Sequence, residues 1–396
     1  MDASAFLPND EGLQWSVDAL FTDFTSEGLA DLPDDLPESG SGGLSALESL
    51  APAVLGHGRD LAAPGFFAHM DPPTPWVTWA ASMWTASRNQ NLLHPDTAPM
   101  ARDIETRVIR WLAPVFAMSG GHLTPGSTVA NLTALWAARE AGATDVVAST
   151  SAHLSIRKSA HILGMPFRLI DHWSDPGDLS SSVAVVTAGT TSTGEVEPLD
   201  AAADARWRHV DAAWAGPLRL SEQHGHLLDG VESFDSVSVS AHKWLFQPKE
   251  SAMVLFADHE AAHDSISVDG EYLAVPNVGV LGSHGATATP LLATLLAYGR
   301  RGLAAMIDRG MALADELYEL VESSEDFTTR SRPHTGVLCW RHNTTEASTL
   351  QARLSDDTFI STTTIEGEQW LRSVAANPMA DPATVFAAAR QAADHS

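Results

Sequence analysis

Lysine occurs at only three of the 396 positions, tyrosine at three and cysteine at one. A lone Cys339 cannot form an intrachain disulfide, so a disulfide-stapled scaffold is excluded. Basic residues are scarce throughout: 23 lysines and arginines face 50 acids, a formal net charge of −27. Such a field repels phosphate backbones and anionic lipid head groups, and no basic patch offsets it; neither nucleic acid nor a membrane is expected as a partner. No apolar run reaches the roughly 20 residues that span a bilayer. The opening MDASAFLPNDEG lacks the charged and apolar regions of a signal peptide, so a cytoplasmic location is expected. What is abundant is core material: 44% hydrophobic residues with twelve tryptophans suit a globular, enzyme-sized chain of two or three domains.

The distribution of that material suggests three parts. Residues 1–64 form an acidic N-terminal arm: positions 1–60 hold twelve acids and one base, Arg59, and DLPDDLPESGSGG (31–43) reads as a loop between short helices. Residues 65–305 form a large domain in which helical patterns (98–116, 128–142) alternate with β-rich runs at 145–149, 183–190, 208–214, 235–240 and 252–256. That alternation predicts an α/β fold with a mostly parallel sheet covered on both faces. A helical stretch at 289–323 leads into GVLCWRH (336–342) and QWLRSVAANP (369–378), which predict a small C-terminal α/β domain over 306–396.

Four places carry chemistry. LTPGSTVANLTAL (123–135) sets Gly126, Ser127 and Thr128 where a loop becomes a helix, so free N–H groups, hydroxyls and the helix dipole converge as they would on a phosphate; an ordinary Ser/Thr N-cap is the plainer alternative. RHVDAAWAG puts Asp211 at a strand end before the small Ala212 and Ala213, with room for a flat ring beside a carboxylate that needs a cationic partner; a loop-capping aspartate is the other reading. Lys243, in SAHKW, follows a strand and is placed to form an imine with an aldehyde cofactor, whereas Lys158 and Lys249 read as solvated side chains. His153, in STSAHLSIRKSA, also follows a strand, either stacking on a planar ligand or satisfying a structural contact. Together the four describe pyridoxal 5′-phosphate: phosphate on Gly126–Thr128, pyridinium nitrogen on Asp211, ring between His153 and Ala213, aldehyde carbon on Lys243.

In these segments, and in PGFFAHMDPP (64–73), NQNLLHPDTAP (89–99), TAGTTSTGEVEPLD (187–200) and LRSVAANP (371–378), the chain resembles the group II pyridoxal-phosphate-dependent amino-acid decarboxylases. The resemblance implies fold type I, the aspartate aminotransferase fold: a large domain on a seven-stranded, mostly parallel sheet and a small C-terminal domain. It also implies a homodimer that decarboxylates an L-amino acid through a Schiff base on Lys243, with no metal. By the same likeness His242 and Ser240 join the cofactor set, Thr187 lies near the phenolic oxygen, and Arg372 binds the substrate carboxylate unless it is bridged between domains. Tyr272, 29 residues after Lys243, protonates the substrate carbon or packs at a subunit interface. His69, Met70 and Gln90 face the substrate pocket, favouring a polar or acidic side chain, and Ser283 or His284 reaches into the neighbouring subunit's site. The chain departs from the family in its short segment between Tyr272 and GSHGATATP (282–290), and in Val129 where an acidic residue is usual. Those departures leave open transamination, aldehyde formation or carbon–carbon cleavage on the same scaffold, and a silent partner protein is the reading from another class.

Overall fold

The computed structural model describes residues 7–25, 32–271, 273 and 275–394. The chain divides into two compact units, residues 1–60 and 61–396. In the first, α1 (Asp10–Ala19) begins under an Asn9 cap whose side-chain oxygen accepts from the Gly12 N–H at 2.9 Å, with Asp10 and Glu11 beside the positive end of the helix. Helix α2 (Gly43–Ala51) follows the acidic loop.

The second unit opens with α3 (Trp76–Arg88) and α4 (Pro99–Leu112), then builds a seven-stranded sheet. Its parts in chain order are β1 (Gly120–Thr124), α5 (Ser127–Glu140), β2 (Asp145–Ser149), α6 (Leu154–Ile162), β3 (Phe167–Ile170), β4 (Ser182–Thr187), β5 (Trp207–Asp211), β6 (Ser236–Val239) and β7 (Ala252–Phe256). The spatial order is β1-β7-β6-β5-β4-β2-β3, with β7 antiparallel to both its neighbours and every other pair parallel. Parallel strands require crossovers that cover both faces, which is why β4, β6 and β7 are buried along their whole length and rich in valine, alanine and serine. Helix α7 (His259–Ser265) and the short pair β8 (Ser267–Val268) and β9 (Asn277–Val278) precede α8 (Ala288–Glu322).

A second, antiparallel sheet has the order β10-β11-β13-β12, from β10 (Phe327–Thr329), β11 (Val337–His342), β12 (Ser361–Ile365) and β13 (Glu368–Val374). Helices α9 (Ala347–Ala352) and α10 (Pro382–Asp394) complete the described chain. Helix α8 serves both sheets: Leu291, Leu303 and Ile307 belong to the core of the large sheet, and Leu313, Leu317 and Val321 to that of the small one. Within the part that serves the large sheet, Gly299 takes φ 59 and ψ −176, outside helical values.

Candidate active site

Parallel strands present their carboxyl ends at one edge, and here three adjacent strands set Thr187, Asp211 and Ser238 side by side in register. Asp211 is 3% exposed, and its carboxylate accepts from the Ala213 N–H at 3.1 Å, the Ser238 hydroxyl at 3.3 Å and the Asn131 amide at 2.9 Å. The Ala213 bond is the local turn that the capping reading expected. The Asn131 bond, from α5, has no local purpose and holds the carboxylate as an acceptor. No cation pairs with this buried carboxylate among the described residues.

Lys243 lies in the turn after β6, and its neighbours fix it. Trp244 is fully buried, its ring centroid 4.1 Å from that of Trp214. The indole leaves no room across from it: a Cβ on Gly336, where φ is +73, would meet Trp244 Cζ2 at 2.9 Å. This clamp answers the placement of lysine between histidine and tryptophan, since one flank anchors in the core while the other faces the site. The Lys243 amine makes no hydrogen bond or ion pair among the described residues. Burial lowers its pKa, against the pull of Asp211, so the neutral amine that can attack a carbonyl is favoured. Lys249 is exposed and paired with Asp71, and Lys158 is exposed, as their reading as solvated side chains expects.

The cradle is built at the start of α5. Gly126, not Ser127 or Thr128, is the N-cap, and it supplies no side chain to the first turn. The Ser127 and Thr128 N–H groups therefore have no acceptor among the described residues. The Ser127 hydroxyl lies 2.6 Å from that of Ser240. A Cβ at Gly126 would lie 3.7 Å from His242 Cε1, so the His242 ring borders the cradle. Burial pushes the His242 pKa down to about 4, with Lys249 and Lys243 reinforcing the shift, which leaves the ring neutral at pH 7.

His153 caps α6: its Nδ1 receives the Ser155 N–H at 3.2 Å and lies 2.8 Å from the Ser155 hydroxyl. Its outer face is exposed while the inner edge is buried, and that burial lowers the pKa, opposed by Asp211 and helped by Lys243. Arg372 sits on β13 opposite Cys339 of β11 and Ser361 of β12. It is 7% exposed, touches only the Ser361 hydroxyl at 3.4 Å through its guanidinium, and leaves Nε without a partner. The bridged-arginine reading therefore finds no support, because no carboxylate pairs with it among the described residues. Cys339 beside it is inert, its thiol pushed up to about 11 by burial.

The remaining expected residues scatter. His69 is exposed against the Phe359 ring, 5.5 Å between centroids. Met70 packs into the core of the large sheet. Gln90 lines a cavity of about 250 Å³ with Lys249 and Ser251. The Ser283 hydroxyl accepts from Asn91 at 3.1 Å, and His284 lines a different cavity of about 550 Å³ with Glu105 and His122. Tyr272 lies outside the described residues. A polar cavity of about 970 Å³ opens at the ends of β2 and β4, bordered by Ser192, Glu195, Glu197 and Arg330. Ser192 accepts through its backbone oxygen from the Cys339 thiol at 3.2 Å, linking this cavity to the Arg372 neighbourhood.

Pyridoxal phosphate fits this arrangement. Among the described residues the Asp211 carboxylate lacks a cation, two helix N–H groups lack an acceptor, the Thr187 hydroxyl is buried without a partner, and the Lys243 amine makes no hydrogen bond or ion pair. Sequence reasoning missed Asn131 and Ser155. The signal was present as a polar residue inside the otherwise apolar run VANLTALWAA, where only a buried hydrogen-bonding duty justifies an amide.

Known proteins resemble this chain in sequence and in fold. The family described as "Pyridoxal-dependent decarboxylase conserved domain" matches residues 31–343. The chain is 30% identical over 430 residues to the L-2,4-diaminobutyrate decarboxylase of Rhizobium meliloti, across 93% of this chain and 86% of that protein. It is 26% identical over 405 residues to the aspartate 1-decarboxylase of Aliivibrio fischeri, across 85% and 73%. In fold it is similar to the glutamate decarboxylase domain of diaminobutyrate-pyruvate transaminase and L-2,4-diaminobutyrate decarboxylase from Vibrio parahaemolyticus, with TM-score 0.84, 21% identity and coverage of 98% and 95%. The structure of Oryza sativa TDC with PLP and tryptamine matches with TM-score 0.84 and 21% identity, over 97% of this chain and 96% of that one.

Proposed function

This chain belongs to the pyridoxal-dependent decarboxylase family, and we propose from that premise that Lys243, Asp211, His153, Arg372 and Tyr272 are the working residues of its decarboxylation of an L-amino acid. The observation that carries the assignment is the half-buried Lys243 in the turn after β6, its amine unpaired among the described residues and under the influence of Asp211. The cofactor, when bound, supplies an electron sink for the bonding pair released as carbon dioxide leaves. Lys243 would hold the cofactor's aldehyde carbon. Asp211 keeps a proton on the ring nitrogen, and Thr187 donates to the phenolic oxygen. Ser127, Thr128, Ser240 and His242 hold the phosphate, and His153 and Ala213 enclose the ring. Arg372 would grip the substrate carboxylate and so orient the substrate in the site. Tyr272 returns a proton to Cα.

The Tyr272 role has a direct check. Tyr272→Phe removes one oxygen at nearly constant volume, so folding and cofactor binding should survive. Amine formation should fall by on the order of 10²-fold, with a carbonyl by-product appearing in its place. Amine made at the wild-type rate without carbonyl would transfer the proton-donor role to His153 or His284.

The substrate we assign is an L-amino acid with a short polar side chain, favouring an ammonium over a carboxylate. The support is the cavity of about 970 Å³ joined to the Arg372 neighbourhood through the Ser192–Cys339 bond: its lining holds Asp171, Glu195, Glu197, Asp200 and Glu366 against Arg330, itself paired with Glu195, and His172. The name of the Rhizobium meliloti relative agrees with this preference. In a carbon dioxide release screen, L-2,4-diaminobutyrate should exceed L-aspartate, and both should exceed L-tryptophan; an aromatic substrate ranking first refutes the assignment.

The working form we propose is a cytoplasmic homodimer, with residues 65–305 as the large cofactor-binding domain, 306–396 as the small one and 1–64 as an arm. Helix α3 supports dimerisation: Trp76 and Trp84 are 69% and 66% exposed, with Trp79 and Met83 open on the same side. Paired replacement Trp76→Glu and Trp84→Glu should yield monomers in sedimentation and lose activity. A dimer that survives the pair places the interface elsewhere.

A further inference from the structure

Asn131 is wholly buried on α5, four residues beyond Ser127, and none of the roles above uses it. Its side-chain nitrogen donates to Asp211 Oδ2 at 2.9 Å and to the Ser155 hydroxyl at 2.9 Å, while its oxygen lies 3.0 Å from His209 Nε2. Proton positions along this path follow from groups that can only accept. The amide nitrogen is the donor that faces Asp211 and Ser155, which leaves the amide oxygen facing His209. That oxygen only accepts, which places the His209 hydrogen on Nε2. Burial pushes the His209 pKa down to about 4, so at neutral pH its Nδ1 carries a lone pair. The Ser236 hydroxyl, 2.8 Å away, therefore donates to Nδ1, and the same oxygen accepts from the Trp207 indole N–H at 2.8 Å. Every hydrogen in the file from Trp207 through Ser236, His209 and Asn131 points towards Asp211.

We propose that Asn131 is a positioning residue that terminates this one-way file on Asp211, holding the carboxylate ionised and aimed for the ring nitrogen of the cofactor. The second amide hydrogen extends the same frame to Ser155, whose backbone N–H donates to His153 Nδ1. The group beneath the ring nitrogen and the group on the ring face are thus tied to one side chain. The proposal rests on the reading of Asp211 as the cofactor's partner.

The test uses the purified full-length protein in two parts. Nitrogen-15 spectra of the wild-type protein freed of cofactor should show His209 uncharged at pH 7 with its hydrogen on Nε2; hydrogen on Nδ1, or a charged ring, overturns the file of donors. Pyridoxal phosphate is then titrated into Asn131→Ala, Asn131→Asp and Asp211→Asn. Asn131→Ala should weaken binding by about tenfold or more through loss of a charge-assisted bond. Asn131→Asp keeps the volume but sets a carboxylate against Asp211, so it should bind at least as weakly as Asn131→Ala. A space-filling role predicts the opposite order, with Asn131→Asp close to wild type, and that order overturns the proposal. Should both variants fail to fold, the histidine spectrum of the wild-type protein decides alone. Asp211→Asn tests the underlying reading separately: if it binds cofactor as wild type does, the reading of Asp211 fails while the spectra still judge the file.

Discussion

Lys243→Ala is expected to abolish decarboxylation, by on the order of 10⁴-fold or more, while leaving a folded protein. Borohydride treatment of the wild-type protein with pyridoxal phosphate should fix the cofactor to residue 243, and the variant should release it on gel filtration. The variant retains Lys158 and Lys249, both exposed, so stoichiometric cofactor held through gel filtration as an imine on either of them would refute the assignment. Stability without cofactor should not fall. Burial without a counter-ion lowers the amine pKa, so below an unfolded value near 10.5 the unfolded chain binds more protons at this site than the folded one. Stability from this site rises with pH towards that value, and a neutral replacement removes the cost at pH 7. Denaturant titrations of both proteins at pH 7 and pH 9 measure it: the gap between them should narrow at the higher pH.

Arg372→Met should lower kcat/KM by on the order of 10³-fold, carried mainly by KM. A buried guanidinium with no carboxylate paired to it among the described residues, its Nε unpartnered and its pKa lowered by burial against the pull of Cys339 and Asp71, is an arrangement that a bound carboxylate completes. Methionine fills similar space without charge, so the free protein should be as stable as wild type or more so. Cofactor binding should be unchanged, because no proposed cofactor contact involves this side chain. A variant with near-normal KM would return Arg372 to a structural role.

The chemistry of the site was more legible than its support. Wherever a strand ran through the buried sheet, its valine and alanine runs announced it, as in DVVAS and AMVLF, which β2 and β7 match residue for residue. The edges did not. GGHLT carries two glycines and a histidine, and it is a strand because β7 pairs with it: a Cβ on Gly121, φ +156, would lie 2.0 Å from the Val254 oxygen. FRLI at β3 is four residues on the opposite edge, too short for a period to emerge. In the site, Lys243 and Asp211 drew attention because each stands at or just after a strand end, and the cradle because it opens a helix, whereas Thr187 came from the family resemblance alone. Met70 was not readable, since a family pattern says where the chain passes and not which way a side chain turns; here it turns into the core. Asn131 and His209 owe their importance to partners 80 and 78 residues away, a separation that no local pattern encodes.

Helix α8 spans 35 residues and contributes buried side chains to two cores, and it breaks at Gly299 within the part that serves the large sheet. Its backbone there, φ 59 and ψ −176, is a conformation open to glycine alone, so the bend is written into one residue. Neither core can lose this helix without exposing part of the other. The strand bearing Arg372 is buttressed by the far half of the same rod that braces the near side of the large sheet. Heat should consequently dissolve residues 61–394 in one cooperative transition, with equal calorimetric and van't Hoff enthalpies. Gly299→Ala should split or broaden that transition, and slow amide exchange in β13 should become fast before exchange in β5 does.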